Sequence, residues 1–389
     1  MKHEKRKILH VVTNLSDGGL EKVVYLIIKH LDNSEFEHTV AVLTRNENDF
    51  LVERFKDLGV EVVPFDFDNR FLSYKSILKN IPQLSKLVNL IRRKKIHVVH
   101  SHDVFPAFVA RLAYLFSVFM FFKPKRVIVT LHNIYFWLSP VHHFVNKILS
   151  ILTYRIVCVS NAVMDYSIIN DKIKRSKYQV IFNGVESEAY SPDPQCIKKY
   201  YTEFGYKANN FIIGNVGVLS VRKGQKYLIK AFDLFVKKVP EARLMIIGSE
   251  RSHEKEIANE IYELIKMREL EKYIKIVPPR VDINKIYNVF DIYAMPSVSE
   301  GQSLSAIEAM LNSRICLFSD IAPFKEMITV GQNGFLFRSE DIEDIFYKLQ
   351  YIYDNYSKLN IVGKNAREEA LCKYNVVNMS NSYGLLYSI

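Results

Sequence analysis

Two glutamates, Glu300 and Glu308, are the residues of this chain whose type and spacing could do chemistry. Carboxylate oxygens accept hydrogen bonds, so such a pair could bind the hydroxyl groups of a sugar and a ribose. The apolar segment 291–295 before them predicts a buried parallel strand. Ser303 is placed to cap a helix that runs through Ala309. The pattern therefore predicts that Glu300 lies on a loop and that Glu308 lies about one turn inside the helix.

The start of this predicted helix offers a place for a phosphate. The first backbone N–H groups of a helix have no partner within it, and the helix dipole is positive at that end. The amides near Ser303 and Leu304 could therefore hold a phosphate between the two carboxylates. A nucleotide-sugar would satisfy this arrangement. By spacing alone, however, two glutamates are more often ordinary solvent-exposed side chains than a binding site. Other motifs therefore have to decide between these two interpretations.

Further motifs follow one another along the chain on both sides of the glutamates. They occupy residues 14–19, 97–103, 127–132, 155–160, 180–185, 214–224, 242–248 and 331–336. In their order and spacing, these motifs and the glutamate segment resemble the large retaining glycosyltransferase family 4, also called glycosyl transferases group 1. The resemblance covers nearly the whole chain and is more specific than any single motif.

The resemblance implies an enzyme that moves a sugar from a nucleoside diphosphate to a hydroxyl acceptor with retention of anomeric configuration. It implies a UDP-sugar in preference to a GDP-sugar, and an acceptor that is a lipid-linked or surface-polysaccharide precursor. The donor-binding candidates are Gly18, Gly19, Arg222, Lys223, Arg280, Glu300, Ser303, Leu304 and Glu308; the catalytic candidates are His132, Glu300 and Lys223; and His102 and Asp103 are expected on the acceptor side. Neutral His132 is expected beside the donor sugar.

One position departs from the family pattern. The family places an arginine directly after the glycine at position 217, where this chain has Val218. Arg222, next to Lys223, could supply the missing charge, yet adjacent side chains usually diverge. Weakened catalysis or another donor is the other interpretation. Two further functions stay open. A nucleotide-sugar 2-epimerase would share the family's architecture and its carboxylates, and Val218 could mark a catalytically degenerate partner subunit.

The fold class predicted from the sequence is α/β. Short β-rich runs alternate with helical patterns such as 20–30, 76–95 and 225–239, which is typical of parallel sheets covered by helices. Strands are predicted near 7–13, 38–44, 60–65, 97–101, 126–131, 155–160, 178–182, 211–218, 242–248, 274–277, 291–295, 314–318 and 334–337. The resemblance implies the GT-B fold, in which two Rossmann-like domains face each other across a deep cleft.

Four segments are predicted along the 389 residues. An acceptor-binding domain is expected over 1–187, a linker over 188–209 and a nucleotide-sugar domain over 210–356. The helices of 357–389 are expected to return to the first domain.

The positive charge lies mainly in the first half of the chain. The net charge is +11, and residues 1–187 hold 27 Lys and Arg against 17 Asp and Glu. A basic cluster, Lys123, Lys125 and Arg126, follows an apolar run over 112–122 that is shorter than the roughly 20 residues needed to span a bilayer. Exposed aromatic residues are expected around 135–138. A core helix of the first domain is an equally good interpretation of the apolar run, and the combination with positive charge favours an anionic membrane surface as partner rather than nucleic acid. It predicts a cytoplasmic protein bound peripherally to the inner face of the cell membrane.

Cysteine and histidine spacing indicates no metal centre. Cys158, Cys196, Cys316 and Cys372 are widely scattered and form no CxxC pair, as expected for reduced thiols. No histidine pair stands at ligand spacing with a third donor. We therefore expect neither a metal nor another cofactor, the nucleotide-sugar being a substrate.

Overall fold

The chain forms two α/β units. A computed structural model describes residues 4–16, 18–44, 51–69, 74–119, 122, 124–250 and 254–388. The first unit joins Met1–Gly184 to Val376–Ile389, and the second is Val185–Asn375. Lys123 of the basic cluster and two residues of the apolar run before it lie outside the described residues.

The first unit is built on a parallel sheet. Its strands are β1 (Arg6–Val12), β2 (Phe36–Val42), β3 (Glu61–Pro64), β4 (Val98–His102), β5 (Arg126–Leu131), β6 (Arg155–Cys158) and β7 (Tyr178–Val180). Before the chain enters the second unit, the first unit contains the helices α1 (Gly19–His30), α2 (Val52–Asp57), α3 (Tyr74–Lys94), α4 (Val104–Phe119), α5 (Pro140–Leu149) and α6 (Asn161–Asp171). The strand order is β3-β2-β1-β4-β5-β6-β7. The order therefore reverses between β1 and β4, and ligands of such sheets bind at the carboxyl ends beside a reversal.

The second unit repeats this architecture. Its strands are β8 (Phe211–Val216), β9 (Ala242–Ile247), β10 (Ile274–Val277), β11 (Ile292–Met295), β12 (Ile315–Ser319) and β13 (Phe335–Phe337). Its helices are α7 (Pro194–Phe204), α8 (Gln225–Val236), α9 (Lys255–Met267), α10 (Ile283–Ile286), α11 (Leu304–Leu311), α12 (Ala322–Met327), α13 (Ile342–Asp354) and α14 (Asn360–Lys373). The parallel strands run in the order β10-β9-β8-β11-β12-β13, which reverses between β8 and β11.

The strand pattern confirms the fold class predicted from the sequence. Each predicted strand is present, with its bounds shifted by no more than two residues. The central strands are buried along most of their length, and β11 is buried throughout. Runs rich in Val and Ile are stable in this position because helices cover both faces of a parallel sheet. None of the helices in the described part of the chain is long and apolar enough to cross a membrane.

Two of the predicted segment boundaries are wrong. The segment 188–209 is not a linker, because it contains α7, whose Tyr200 and Phe204 are buried within the second unit. The Tyr200 hydroxyl donates a hydrogen bond to Asp282, 2.9 Å away. The return to the first unit begins at Val376 rather than at 357, because α14 packs against α11 and β12 of the second unit.

The last helix, α15 (Val376–Tyr387), completes the first unit. It packs against α1. The Tyr387 hydroxyl hydrogen-bonds to Nδ1 of His100 at 2.6 Å, and the ring packs edge-on against Phe36. The Arg126 guanidinium donates to the backbone carbonyls of Leu386 and Ser388 at 2.8 and 3.0 Å. Arg126, which was predicted as part of a basic cluster facing a membrane, thus binds the carboxyl end of α15.

The contacts of Tyr387 predict a large loss of stability on truncation. Tyr387→Ala should lower the free energy of unfolding of the first unit by about 3–5 kcal/mol, as for other buried aromatic residues. Leu385→Ala on the same helix is the matched control, because Leu385 is 76% exposed and Tyr387 is 0% exposed. Denaturant unfolding of both variants provides the measurement, and equal midpoints would contradict the packing described for α15.

Candidate functional site

The candidate site of the second unit lies where its strand order reverses. A 3₁₀ turn, Val221–Lys223, follows β8, and the loop 296–303 follows β11. These strands are parallel neighbours in the sheet, so their carboxyl ends lie side by side. The backbone N–H of Val298 donates to the carbonyl of Arg222 at 2.8 Å and joins the two segments.

Both cationic side chains of the turn bind the carboxylate of Glu300. Nζ of Lys223 lies 2.8 Å from Oε1, and Nη1 of Arg222 lies 3.0 Å from Oε2. The Ser297 hydroxyl also donates to Oε1, at 2.8 Å. The expectation that Arg222 and Lys223 diverge is therefore wrong. The tight 3₁₀ turn brings both side chains onto one carboxylate, and it stays a prediction that Arg222 replaces the charge missing at Val218.

Glu300 is a carboxylate held in its charged form. Its exposed fraction is 5%, and burial by itself raises the pKa of a carboxyl group. The charges of Lys223 and Arg222, together with hydrogen bonds from Lys223 and Ser297, outweigh burial and lower the pKa of Glu300 to about 2. At neutral pH the site therefore contains one buried negative charge and two positive charges.

Two glycines allow this close packing. Gly224 ends the 3₁₀ turn with φ +66°, and a Cβ built on it would lie 2.0 Å from the carbonyl oxygen of Pro296. A Cβ on Gly217 would lie 3.2 Å from Cε of Lys223, so the lysine stem runs over the bare backbone. A side chain at position 224 would separate the two loops that bring Lys223 to Glu300.

The helix that was predicted to begin at Ser303 is α11. The Ser303 hydroxyl caps it by accepting from the N–H of Ala306, and Leu304 is its first residue. Glu308 lies in its second turn and is buried. Its two oxygens accept hydrogen bonds from the hydroxyls of Tyr190 and Tyr287, each at 2.9 Å. The two tyrosines were missed from the sequence, because they lie outside every motif and belong to other segments.

Arg280 does not join this group. Its Nε and Nη2 bind the two oxygens of Asp282 at 2.8 and 2.9 Å, and its Nη1 binds Glu203 at 2.6 Å. All three of its nitrogens thus serve ion pairs within the second unit. These contacts raise the pKa of Arg280, and its assignment to the donor site stays a prediction.

In the first unit, Gly18 and Gly19 lie at the predicted start of a helix. α1 begins at Gly19, and Gly18 is in an extended conformation with φ −130°. Glycine is therefore not required at position 18 by the backbone angle. A Cβ there would lie 2.2 Å from Oε2 of Glu21, whose carboxylate faces the positive end of the helix.

His132 follows β5 and is half-buried. Its backbone N–H donates to Oδ1 of Asp103 at 3.3 Å, and the Tyr135 hydroxyl donates to the same oxygen. Burial lowers the pKa of His132 to about 3, so its imidazole is neutral, as expected. Asp103 thus accepts a hydrogen bond from the backbone of His132, and its predicted role on the acceptor side stays a prediction.

His102 lies inside the first unit rather than on an open acceptor side. It is 0% exposed on β4, and its Nδ1 hydrogen-bonds to Nε2 of His132 at 3.1 Å. His10 and His38 extend this contact and were missed from the sequence. A signal for them was present, since histidines recur on the adjacent strands β2, β1 and β4, where His10 pairs in register with His100.

Three of these histidines also lie at distances that a metal could use. Among the described residues, ring nitrogens of His10, His100 and His102 lie within 4.8 Å of one another. Each ring already uses both nitrogens in hydrogen bonds within the protein. Nδ1 and Nε2 of His100, for example, pair with Tyr387 and Thr130 at 2.6 and 2.7 Å. Hydrogen bonds between side chains therefore account for the cluster.

Comparison with known proteins identifies matches over both units. The family model described as glycosyltransferase family 4 matches residues 17–189, and that described as glycosyl transferases group 1 matches residues 199–369. An Escherichia coli protein, UDP-Gal:alpha-D-GlcNAc-diphosphoundecaprenol alpha-1,3-galactosyltransferase, is 26% identical over 99% of this chain and 97% of its own length. The Staphylococcus aureus capsular polysaccharide biosynthesis glycosyltransferase CapM is 22% identical over 88% of this chain and 94% of its own.

Solved structures share the fold. The Anabaena protein HepE in complex with UDP and glucose superimposes with a TM-score of 0.86 at 21% identity, over 98% of this chain and 99% of that one. A Rickettsia africae glycosyltransferase gives a TM-score of 0.83 at 21% identity, over 99% and 98% of the two chains.

The depressed pKa of Glu300 predicts how its contribution to stability depends on pH. The free energy of unfolding should be higher for wild type than for Glu300→Gln. This difference should be largest at pH values above about 4.5, the usual pKa of the carboxyl group. The difference should shrink as the pH falls toward 2, because the native carboxylate resists protonation more than the unfolded one does. The pH-dependent part is roughly 3 kcal/mol.

Chemical denaturation at a series of pH values measures this difference. Glu343→Gln is the control, because Glu343 is exposed on α13. A difference between wild type and Glu300→Gln that stays constant from pH 7 to pH 3 would contradict the assigned ion pairs.

Proposed function

Because this chain belongs to the GT-B glycosyltransferases, we propose that it transfers a sugar from a UDP-sugar to a hydroxyl group of a lipid-linked saccharide, with retention of configuration. The observation that carries the proposal is the convergence of Lys223 and Arg222 on Glu300 beside the start of α11. The substrates in the name of the Escherichia coli relative and the UDP bound to HepE favour this donor and acceptor.

Lys223 and Arg222 are the groups that would neutralise the departing diphosphate. As the glycosidic bond breaks, negative charge grows on the phosphate oxygen, and fixed cations stabilise that charge. The diphosphate gains one negative charge as it leaves, and Lys223, Arg222 and the amides at the start of α11 provide fixed positive charge for it, so we propose transfer without a metal. Glu300 keeps both cations in position before the donor binds, and its carboxylate then accepts hydrogen bonds from the donor sugar.

The nucleotide would extend from this group along α11. The amides beyond Ser303 and Leu304 would bind the phosphates at the positive end of the helix. A carboxylate can accept about four hydrogen bonds, so Glu308 can bind the ribose hydroxyls while it is oriented by Tyr190 and Tyr287. The two tyrosines thereby fix the direction of the carboxylate.

Retention would follow from attack on the face that the phosphate leaves. In this scheme the acceptor oxygen bonds to the anomeric carbon as the bond from that carbon to the phosphate breaks. The acceptor proton passes to the departing phosphate oxygen, so no protein nucleophile is required. Neutral His132 would contact the donor sugar without adding charge.

A lipid-linked acceptor requires access to a membrane, and α5 has the composition for it. Three apolar residues lie on one face of this helix and are at least half exposed: Val141 at 56%, Phe144 at 62% and Ile148 at 50%. Ile151, just beyond the helix, continues this face and is 79% exposed. The preceding loop adds Phe136 and Trp137, both more than half exposed.

The inner face of α5 is polar. The side chain of His143 is 13% exposed and binds Asp171 of α6 at 2.6 Å. Asn146 donates to the same carboxylate and accepts from the buried Arg111 of α4. The helix is therefore inverted, with hydrogen bonds toward the protein and apolar side chains toward the outside. We propose that this apolar face inserts shallowly into the cytoplasmic face of the cell membrane, where the positive charge of the first unit attracts anionic lipids.

The contacts of the candidate site favour neither of the two alternative functions, a nucleotide-sugar 2-epimerase or a catalytically degenerate subunit. A degenerate subunit was considered because Val218 replaces an arginine, and we propose that Arg222, which binds Glu300, supplies that charge. An epimerase would need no membrane-facing surface for a lipid-linked acceptor. Transfer therefore explains both the donor residues and α5.

The first functional prediction concerns the two cations. Lys223→Ala and Arg222→Ala should each lower kcat by about 10²- to 10³-fold, because each removes a fixed charge that stabilises the leaving group. Val218→Arg should bring no gain. Wild-type activity should survive EDTA. Release of UDP and transfer to an acceptor provide the measurements. Lys237→Ala is the control, because Lys237 directly follows the end of α8, far from the turn that carries Lys223.

A dispensable Arg222 together with a gain of activity in Val218→Arg would show that the charge is missing in this chain. Loss of activity in EDTA, restored by a divalent cation, would contradict transfer without a metal.

The second functional prediction concerns α5. The double variant Phe144→Ser and Ile148→Ser should weaken binding to anionic vesicles about tenfold or more, since burying one such side chain is worth about 1.5 kcal/mol or more. Tyr347→Ser with Tyr351→Ser is the matched control, because these residues of α13 are 63% and 49% exposed in the second unit. Vesicle co-sedimentation gives the affinity, and UDP binding should be unchanged.

Binding of wild type should also weaken with salt and with Lys125→Ser. Equal sedimentation of the double variant and wild type, or equal binding to neutral and anionic vesicles, would contradict the proposed surface.

A further inference from the structure

Four histidines of the first unit form a row of hydrogen-bonded rings. Nδ1 of His38 lies 3.1 Å from Nε2 of His10, and Nδ1 of His10 lies 3.2 Å from Nε2 of His102. Nδ1 of His102 lies 3.1 Å from Nε2 of His132. The first three rings are buried, and His132 is the partly exposed end of the row.

The protons of these rings are coupled. Burial lowers the pKa values of all four, so each ring is neutral and carries one N–H and one lone pair. His10 and His102 each use both nitrogens within the row. If one of them donates through Nδ1, its Nε2 must accept from the ring before it. The direction of donation is therefore the same along the whole row.

The far end of the row distinguishes the two directions. Nε2 of His38 is buried and has no hydrogen-bond partner in the described part of the chain. If donation ran from His132 toward His38, this nitrogen would carry an unpaired N–H. If donation runs from His38 toward His132, it carries only an unpaired lone pair. In protein interiors an unpaired N–H group is rarer than an unpaired acceptor, which favours the second direction.

We propose that His38, His10 and His102 are positioning residues that hold the proton of His132 on Nδ1. In this tautomer Nε2 of His132 accepts from His102, and Nδ1–H is the donor at the open end of the row. The inference rests on the proposed function, in which His132 contacts the donor sugar, and it assigns His132 the role of hydrogen-bond donor to a sugar oxygen rather than that of a base.

The row also excludes a proton relay. If Nδ1 of His132 lost its proton, His102 would have to pass a proton to Nε2 of His132. His10 and then His38 would have to replace that proton in turn, each from its Nδ1. The buried Nε2 of His38 would then need a proton from outside, and it has no described partner to supply one. The row is closed at that end, so it fixes a tautomer and conducts no proton.

The test is a tautomer measurement that requires no substrate. In protein labelled with ¹⁵N-histidine, the two ring nitrogens of His132 have different shifts in each tautomer, and His132→Asn identifies its signals. Wild type should show a neutral ring protonated on Nδ1. Protonation on Nε2 would overturn the inference. Signals of His10 and His102 that change with added Zn²⁺ or EDTA would also overturn it, because their nitrogens would then be metal ligands.

A matched pair of variants at the far end tests the coupling. His38→Asp places an acceptor without a proton beside Nε2 of His10, so the direction of donation should reverse and the proton of His132 should move to Nε2, three rings away. His38→Leu offers neither donor nor acceptor and should leave His132 protonated on Nδ1. A merely structural role for His38 predicts no movement of this proton in either variant, and that result would overturn the inference.

Kinetics separate this inference from the function on which it rests. With the tautomer reversed, kcat should fall about 10- to 100-fold, the range for outer partners of metal-binding histidines, while the KM for the donor changes little. An unchanged kcat would overturn the role of the row in positioning His132. Wild type without transferase activity would overturn the proposed function, and the tautomer measurement would still stand. If His38→Asp fails to fold, His102→Asp provides the same reversal in one step.

Discussion

The reversal of strand order in the second sheet is the constraint on which the positions of Lys223, Glu300 and Glu308 depend. A parallel strand needs a crossover on one side of the sheet, and where the direction of winding changes, two neighbouring strands lead into loops that diverge. In the second unit these loops carry Lys223 and Glu300, which come from strands separated in sequence and adjacent in space. In the first unit the same reversal places the carboxyl ends of β1 and β4, which precede the glycine loop and Asp103, side by side.

Both units place polar groups where hydrophobic residues are usual, and hydrogen bonds or ion pairs compensate most of these groups. Burying a charge or a ring nitrogen is costly unless it is hydrogen-bonded. Glu300 has two cations and a hydroxyl, and the histidine row supplies its own donors and acceptors. The inverted helix α5 shows the converse, because apolar side chains are left outside while Asp171 binds the polar ones. Such exceptions to the usual pattern coincide with the proposed functional surfaces.

The sequence predicted the strands and the glutamate loop well, because both are local patterns. Alternating apolar runs and turns define the strands, and a serine before a helix defines the cap at Ser303. It failed where contacts join distant segments. Nothing near Tyr190 indicates that it binds Glu308, and the direction of Arg222 depends on a turn closed by Gly224. α7 was taken for a linker because its proline-rich entry has the composition of a loop.

The return of the chain to the first unit at Val376 has a consequence for folding during translation. The ribosome makes most of the first unit before the second, yet α15, with Tyr387 against His100, emerges only after residue 375. Domains generally fold as they leave the ribosome, with the N-terminal one first. Here the first unit cannot be completed before the second has been translated, because α15 follows the second unit in the sequence. Folding of the first unit during translation therefore stays incomplete until its last helix packs against α1.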